Sequence, residues 1–211
     1  MESIDEHFVR ALRARSGTGD ARAADPAMLR RLFEAQAQSR HLDFAARWLQ
    51  KQGKGYYTIG SAGHESNAAV GLLSRSTDPA LLHYRSGAFY AARAALAGTG
   101  NPVRDVLLSL TAASGDPMSG GRHKVIGHPA LGIIPQTSTI GSHVPRAVGL
   151  AYSLGLARSI GHTSPWPDDA VVVCSFGDAS PNHSTVAGAL NAAAYLTHRR
   201  IGCPVLFIGG S

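Results

Sequence analysis

Short apolar runs alternating with helical segments are the feature that most constrains the fold of this chain. Four such runs occur, and each is nearly continuous rather than alternating with polar residues: 80–83, 131–135, 170–176 and 204–208. A strand covered on both faces carries apolar side chains at successive positions, whereas a half-exposed strand alternates. The pattern therefore predicts an α/β fold, in which a parallel sheet has helices on both faces.

Helix signals lie between these runs. Asp25 and Pro26 supply an N-cap and a first-turn proline for a long helix that stops at Gly53. Apolar periodicity predicts further helices at residues 4–15, 63–73, 87–96, 145–160 and 186–196. The chain thus divides into an N-terminal helical arm, residues 1–53, and an α/β domain, residues 54–211.

Composition narrows the class of protein. With 211 residues, 44 % of them hydrophobic, the chain can bury one core. The net charge of +6 is spread along helices without a basic block, which argues against a nucleic-acid role. Cys174 and Cys203 lack metal-ligand spacing, the first residues include acids and lack the apolar h-region of a leader, and no apolar run reaches roughly 18 residues. We expect a cytoplasmic protein outside the membrane.

The segment after the third apolar run contains the first candidate site. Gly177, Asp178 and Ala179 follow the predicted strand, and ligands of parallel sheets bind beyond the carboxyl ends of strands. Asp178 either closes a turn or caps the next helix, or it holds Mg²⁺ that bridges a diphosphate. Neither the Walker pattern nor a G-x-G-x-x-G after a strand occurs, and the segment 64–67, HESN, lacks the second histidine of a zinc helix.

Several separate stretches resemble one family, the alpha chain of the dehydrogenase component of 2-oxo acid dehydrogenase complexes, which uses thiamine diphosphate and Mg²⁺. The resemblance covers about residues 45–208. The sequences of its stretches are most similar to branched-chain forms in which the alpha and beta parts are fused in one polypeptide. The stretches are IGSAGHESNAAVGLL, LLHYRSGAFY, SGGRHKV, IPQTSTIGSHVPRAVGLAYSLG and FGDASPNHSTVAGALNAAAYL.

The resemblance assigns roles to the residues that match the motifs. It implies that Asp178 binds Mg²⁺ and that the turn formed by Gly177, Asp178, Ala179 and Ser180 approaches the diphosphate. Tyr84 and Arg85 match the pair that contacts the diphosphate. Without the family, this pair would be a surface ion-pair motif.

Other matched positions have weaker implications. Ile140 corresponds to an apolar residue that packs against the cofactor, and its alternative is an ordinary core position. Ser142 overlies a loop that binds a monovalent cation such as K⁺ in some members. His123 lies in a loop that covers the site, and it is a candidate for contact with substrate or phosphate or else an exposed loop histidine. His143 and His183 flank the cofactor segments, and Glu65 matches a family glutamate without an assigned catalytic role.

Two departures from the family pattern stand out. Ala179 replaces the second glycine of Gly-Asp-Gly, which adds a methyl group where the backbone approaches phosphate. The sequence then stops at Gly209, Gly210 and Ser211, before the asparagine turn that completes the Mg²⁺ site in the family. We therefore expect residues 54–211 to be a partial diphosphate-binding domain, incomplete at its C-terminus.

The chemistry implied by the resemblance is oxidative decarboxylation of a 2-oxo acid, branched-chain or pyruvate, with acyl transfer to a lipoyl group. The implied partners are a beta subunit or fused beta domain and a lipoyl-bearing acyltransferase. Two alternatives stay open: a non-catalytic fragment that acts in assembly, and a transketolase-like thiamine-diphosphate enzyme. We expect the 211-residue piece alone to be inactive.

Overall fold

A computed structural model of the chain describes residues 4–14, 25–56, 60–122 and 125–210. The helices are α1 Ile4–Ala14, α2 Pro26–Lys51, α3 Asn67–Leu73, α4 Gly87–Ala97, α5 Pro102–Leu110, α6 Val144–Ser159 and α7 Ser184–His198. The strands are β1 Ala80–Leu81, β2 Val172–Gly177 and β3 Val205–Gly210. None of the helices in these ranges combines the length and the hydrophobicity that a membrane crossing requires.

The three strands form one parallel sheet in the order β1-β2-β3. Leu81 lies opposite Cys174, and Gly177 at the end of β2 lies opposite Gly210 at the end of β3. Because all three strands run the same way, their carboxyl ends meet at one edge of the sheet.

The central strand β2 is buried on both faces of the sheet. On one face, Cys174 and its neighbours on alternate positions of β2 pack against apolar side chains of α6 and α7, including Ala147 and Val186. On the other face, Val173 packs in a cluster with Phe89 of α4. Burying each large apolar side chain contributes about 1.5–3 kcal/mol. The predicted α/β class, a parallel sheet covered on both faces, is confirmed.

Helix α2 begins as the sequence predicts. The Asp25 carboxylate accepts a hydrogen bond of 3.0 Å from the backbone N–H of Ala27, and Pro26 occupies the first helical position. The helix ends at Lys51, just before Gly53 with its left-handed φ of +69°. The division of the chain at residue 53 stays a prediction.

Helix α5 is missing from the sequence-based expectations, although the same signal marks its start. Asn101 caps it by accepting a hydrogen bond of 3.1 Å from Arg104 N–H, and Pro102 opens the first turn. Helix α3 begins at Asn67 rather than near residue 63, because Gly63 has a φ of +84° in the preceding turn. A positive φ is incompatible with a right-handed helix.

The predicted strand at 131–135 is wrong. Pro129–Leu131 forms a 3-10 turn, and pairing is limited to single bridges from Ile133 to Ala80 and to His128. Leu131 and Ile133 are nevertheless buried, because they pack in one cluster with Ala80 of β1. A buried segment without regular strand pairing can have the same apolar sequence pattern as a strand, so the pattern could not distinguish the two.

A buried arginine joins this segment to the rest of the core. The guanidinium of Arg93 donates to the carbonyl oxygens of Asp78 (3.0 Å) and Leu131 (2.9 Å) and lies 4.5 Å from the centre of the Phe89 ring. Burial lowers the pKa of Arg93 to about 10, so the side chain stays charged at neutral pH. The hydrogen bonds to carbonyl oxygens offset the cost of burying that charge.

Candidate functional site

The turn after β2 presents a carboxylate at the edge where the strands end. Asp178 is exposed, its backbone N–H donates to the Gly210 carbonyl (2.8 Å), and its Oδ1 accepts from the N–H of Ala179 (2.8 Å). Helix α7 is capped by another residue, His183, whose Nδ1 accepts from Thr185 N–H at 3.2 Å. Asp178 therefore does not cap the helix, and in the described residues its carboxylate forms no hydrogen bond beyond the local one.

The rest of the turn has ordinary backbone geometry. Ala179 has φ −76° and ψ −20°, which any residue adopts, so its methyl group causes no backbone strain. Ser180 is buried and begins a second 3-10 turn, Ser180–Asn182. A β-carbon added to Gly177 would lie 3.6 Å from Ser180 Oγ, so the turn folds back over the strand end.

Tyr84 and Arg85 follow β1 at the same edge of the sheet. Both are partly exposed, and the Arg85 guanidinium carbon lies 5.7 Å from the centre of the Tyr84 ring. One guanidinium N–H of Arg85 donates to the Gly60 carbonyl at 2.6 Å. Within the ranges that the structure describes, Arg85 forms no ion pair, so the surface ion-pair alternative is not supported.

Two histidines, His64 and His83, belong to this site and were missed from the sequence. Their rings stack with centroids 4.6 Å apart and an interplanar angle of 10°, and they are only 3 % and 4 % exposed. Burial lowers the pKa of His64, the nearby Arg85 lowers it further, and Asp178 opposes this. His64 thus lies within electrostatic reach of both charged candidates. The signal was available, because His83 directly precedes Tyr84.

A buried polar network holds this edge in place. Ser175 of β2 accepts a hydrogen bond of 2.9 Å from the backbone N–H of His83, and its hydroxyl lies 3.0 Å from that of Ser86. The side-chain amide of Asn67 donates to Ser86 Oγ at 3.1 Å. The network therefore ties β2 to the segment after β1 and to the first turn of α3.

His143 anchors the start of α6 to the same strand. Its Nε2 donates to the Ser175 carbonyl oxygen at 2.7 Å, and the ring is 2 % exposed. Burial lowers the pKa of His143, the carbonyl opposes this, and Arg146 lowers the pKa further. His143 is therefore a buried, neutral side chain whose hydrogen bond to Ser175 holds the start of α6 against β2.

The loop before α6 carries the two other predicted contacts. Ile140 is 56 % exposed, so its alternative assignment to the core is wrong. A β-carbon on Gly141 would lie 2.5 Å from Val186 Cγ2, so the loop packs tightly against α7. Ser142 Oγ donates to the Thr139 carbonyl at 3.0 Å. The roles of Ile140 in cofactor contact and of Ser142 in cation binding stay predictions.

The remaining candidates fall outside the site or outside the described residues. Glu65 forms an ion pair of 2.6 Å with Arg40 of α2, which gives it a structural role. His123 lies outside the described residues. In the part of the chain that is described, no group of three or more His, Cys, Asp or Glu side chains is arranged to hold a metal ion.

Comparison with known proteins agrees with this geometry. The family model described as "Dehydrogenase E1 component" matches residues 34–208, which is most of the chain. A curated relative, the 2-oxoisovalerate dehydrogenase subunit alpha of Bacillus subtilis (strain 168), is 26 % identical over 182 residues, covering 84 % of this chain and 49 % of the relative. The chain thus spans about half the length of this curated relative. It belongs to the dehydrogenase E1 component family.

Proposed function

We propose that this chain supplies the diphosphate-binding part of a thiamine-diphosphate- and Mg²⁺-dependent 2-oxo acid dehydrogenase. The proposed reaction is oxidative decarboxylation of a branched-chain 2-oxo acid or pyruvate, with acyl transfer to a lipoyl group. One observation carries the proposal: Asp178 after β2 and Tyr84 and Arg85 after β1 converge at one edge of the sheet in a chain of the E1 family.

The surroundings of Asp178 suit Mg²⁺. The carboxylate is exposed at the strand end, with one local hydrogen bond to Oδ1. In phosphate sites Mg²⁺ is usually held by one or two carboxylates together with phosphate oxygens and water. A single aspartate therefore suffices on this side of the ion, and a larger cluster of acids is not required.

Arg85 and Tyr84 suit the diphosphate. A guanidinium offers five N–H donors in a planar fork, and Arg85 uses one nitrogen on Gly60. The phenol of Tyr84 adds a further donor beside it. Gly177 at the end of β2 carries no side chain and is partly exposed, so its backbone is accessible to a ligand there.

The protein's own contribution is binding and orientation. When bound, thiamine diphosphate supplies the electron sink that decarboxylation needs. Arg85 would neutralise part of the negative charge of the diphosphate, and Asp178 would hold the Mg²⁺ that neutralises the rest. The exposed side chain of Ile140 would provide an apolar contact. The oxygens of Ser142 and Thr139 are suitable ligands for K⁺, which we propose for this loop.

The proposed partners follow from the family. We propose a beta subunit or fused beta domain that completes the cofactor site, and a lipoyl-bearing acyltransferase that receives the acyl group, in a cytoplasmic complex. The name of the Bacillus subtilis relative makes 2-oxoisovalerate the first substrate to test. Pyruvate is the second, since pockets separate such substrates by only about 1–3 kcal/mol per methylene.

The test is decarboxylation by the natural protein, purified with its partners and supplied with thiamine diphosphate, Mg²⁺ and an artificial electron acceptor. Asp178→Asn should lower activity by roughly 100-fold, since even groups that only support metal ligands contribute 10–100-fold. Asp168→Asn is the matched control, because Asp168 is also exposed but precedes β2 at the opposite edge. Turnover of a sugar phosphate but of no 2-oxo acid would replace the proposal by a transketolase-like reaction.

A further inference from the structure

Asp43 is a carboxylate on α2 that is only 8 % exposed, and its hydrogen-bond partner lies 18 positions further along the chain. The backbone N–H of Ser61 donates to both of its oxygens, at 2.9 and 2.8 Å, and Ser61 Oγ donates to Oδ2 at 2.9 Å. The guanidinium of Arg40 lies 3.8 Å from the same oxygen. A buried charge with these partners is held in one position, so the Asp43 carboxylate fixes Ser61 against α2.

Gly60 connects this contact to Arg85. A β-carbon added to Gly60 would lie 2.7 Å from Asp43 Oδ2, so the backbone of Gly60 lies directly against the carboxylate. The carbonyl oxygen of Gly60 accepts the hydrogen bond of 2.6 Å from the Arg85 guanidinium. The position of the carboxylate therefore determines the position of this carbonyl, and the carbonyl in turn holds one end of the guanidinium.

A small cavity shows how short this path is. Asp43, Ser61, Tyr84 and Arg85 are among the residues that line it, and its volume is about 20 Å³. Such a volume has room for about one water molecule. The carboxylate on α2 and the side chains of Tyr84 and Arg85 therefore lie around one narrow gap, and a change at the carboxylate reaches the guanidinium directly.

We infer that Asp43 is a positioning residue, which acts through Ser61 and Gly60 to hold the guanidinium of Arg85 in the orientation that binds the ligand. The inference rests on the proposed function, in which Arg85 contacts the diphosphate, and it adds a residue of α2 to the site. Arg85 is partly exposed and has a long side chain. Immobilising such a side chain on binding costs conformational entropy, and the Gly60 carbonyl reduces that cost by restricting the guanidinium beforehand.

The experiment is a double-mutant cycle that measures binding rather than activity. The natural protein with its partners is titrated calorimetrically with thiamine diphosphate in the presence of Mg²⁺, as the wild type, as Asp43→Ala, as Arg85→Ala and as the double variant. Two residues that act as one unit give losses that do not add. The cycle therefore separates an effect through Arg85 from a general loosening of the fold.

Asp78→Ala is the matched control. Asp78 is also buried, at 6 % exposed, and its carboxylate accepts from the backbone N–H groups of Arg75 (2.9 Å) and Val171 (3.0 Å). It pairs with an arginine three positions before it, as Asp43 does. These contacts lie before β1 and β2, at the edge opposite Arg85. The control variant should lower the melting temperature and leave the affinity for thiamine diphosphate unchanged.

We expect Arg85→Ala to weaken binding roughly 10–100-fold, as for loss of a hydrogen bond to a charged group. Asp43→Ala should weaken it about three- to tenfold, which corresponds to the entropy cost of ordering one mobile side chain. The double variant should bind no more weakly than Arg85→Ala alone. Asp43→Asn should recover part of the affinity, because its Oδ1 still accepts from the N–H of Ser61.

Three results would reject the positioning role alone: wild-type affinity in Asp43→Ala, losses that multiply in the double variant, or an equal loss in Asp78→Ala. If Arg85→Ala binds as tightly as the wild type, the proposed diphosphate contact of Arg85 fails and the inference fails with it. If the wild-type protein does not bind thiamine diphosphate, the proposed function is rejected as well.

Gly60→Ala provides a second test if Asp43→Ala does not fold. Its β-carbon would push the Gly60 backbone away from the carboxylate while Asp43 stays in place. We expect the same three- to tenfold loss of affinity for thiamine diphosphate, again absent when Arg85 is already alanine. Unchanged affinity in Gly60→Ala would overturn the inference.

Discussion

Ser175→Ala should uncouple the strand that carries Asp178 from the segment that carries Arg85. Ser175 is 1 % exposed, and its hydroxyl accepts the backbone N–H of His83 at 2.9 Å while lying 3.0 Å from Ser86 Oγ. Alanine removes this hydroxyl and changes little else, since both residues are small. The buried N–H of His83 is then left without its acceptor.

The magnitude follows from the hydrogen bonds that are lost. An unsatisfied buried donor costs about 1–3 kcal/mol, and the second lost bond adds about 1 kcal/mol, so we expect a destabilisation of about 2–4 kcal/mol. At about 2–4 °C per kcal/mol for a chain of this size, the melting temperature should fall by several degrees. Thermal unfolding followed by circular dichroism measures it.

Ser109→Ala is the control for this prediction. Ser109 is also buried, at 7 % exposed, but its Oγ has no hydrogen-bond partner in the described ranges. Removing that hydroxyl should be neutral or slightly stabilising, because a desolvated group without a partner disappears and alanine favours the helix. Equal changes in melting temperature for the two variants would refute the reasoning.

Three further predictions concern packing, reactivity and pH. Gly149→Ala in α6 should raise the free energy of unfolding by about 0.5–1 kcal/mol. Gly155→Ala should give a free energy of unfolding about 1–3 kcal/mol lower than that of Gly149→Ala, since the added β-carbon would lie 2.4 Å from the Gly202 carbonyl oxygen. Denaturant unfolding compares the two variants, and equal stabilities would contradict the close contact. Burial raises the pKa of Cys174 to about 12, so iodoacetamide should modify it only after unfolding, as mass spectrometry would show, and modification in the folded protein would count against its burial. Burial lowers the pKa of His143 in the folded protein, so the unfolded chain binds the proton more readily. The contribution of His143 to the free energy of unfolding is therefore complete above about pH 6.5, and it should diminish as the pH falls below that value. His143→Gln, which keeps an N–H near Nε2, should flatten this part of the profile of unfolding free energy against pH, and an unchanged profile would disprove it.

The candidate site could be predicted in part because strand direction alone brings its residues together. An apolar run followed by Gly177 and Asp178, and another followed by Tyr84 and Arg85, must end at one edge if the strands are parallel. The structure has this arrangement. The binding roles of these residues stay predictions, while the fold class is confirmed.

Other features depend on contacts between distant parts of the chain. The segment 131–135 has the composition of a strand, but only Ile133 forms bridges, because pairing requires a neighbour with free backbone groups along its length. Ile140 has an apolar side chain of the kind found in protein cores, yet it is exposed. The reason is that its loop contacts α7 through Gly141 and not through Ile140.

The sequence by itself determined the local structure: periodic apolar residues, the Asp25 cap with Pro26, and continuous apolar strands act over a few residues and are visible as patterns. Only the tertiary structure decided that His64 and His83, 19 positions apart in the sequence, stack over Gly177 and Gly210. The physical reason is that stacking and burial depend on where the backbone places each side chain in space. No local sequence pattern predicts this stacking. It results from the packing of the loop before α3 against the ends of the strands.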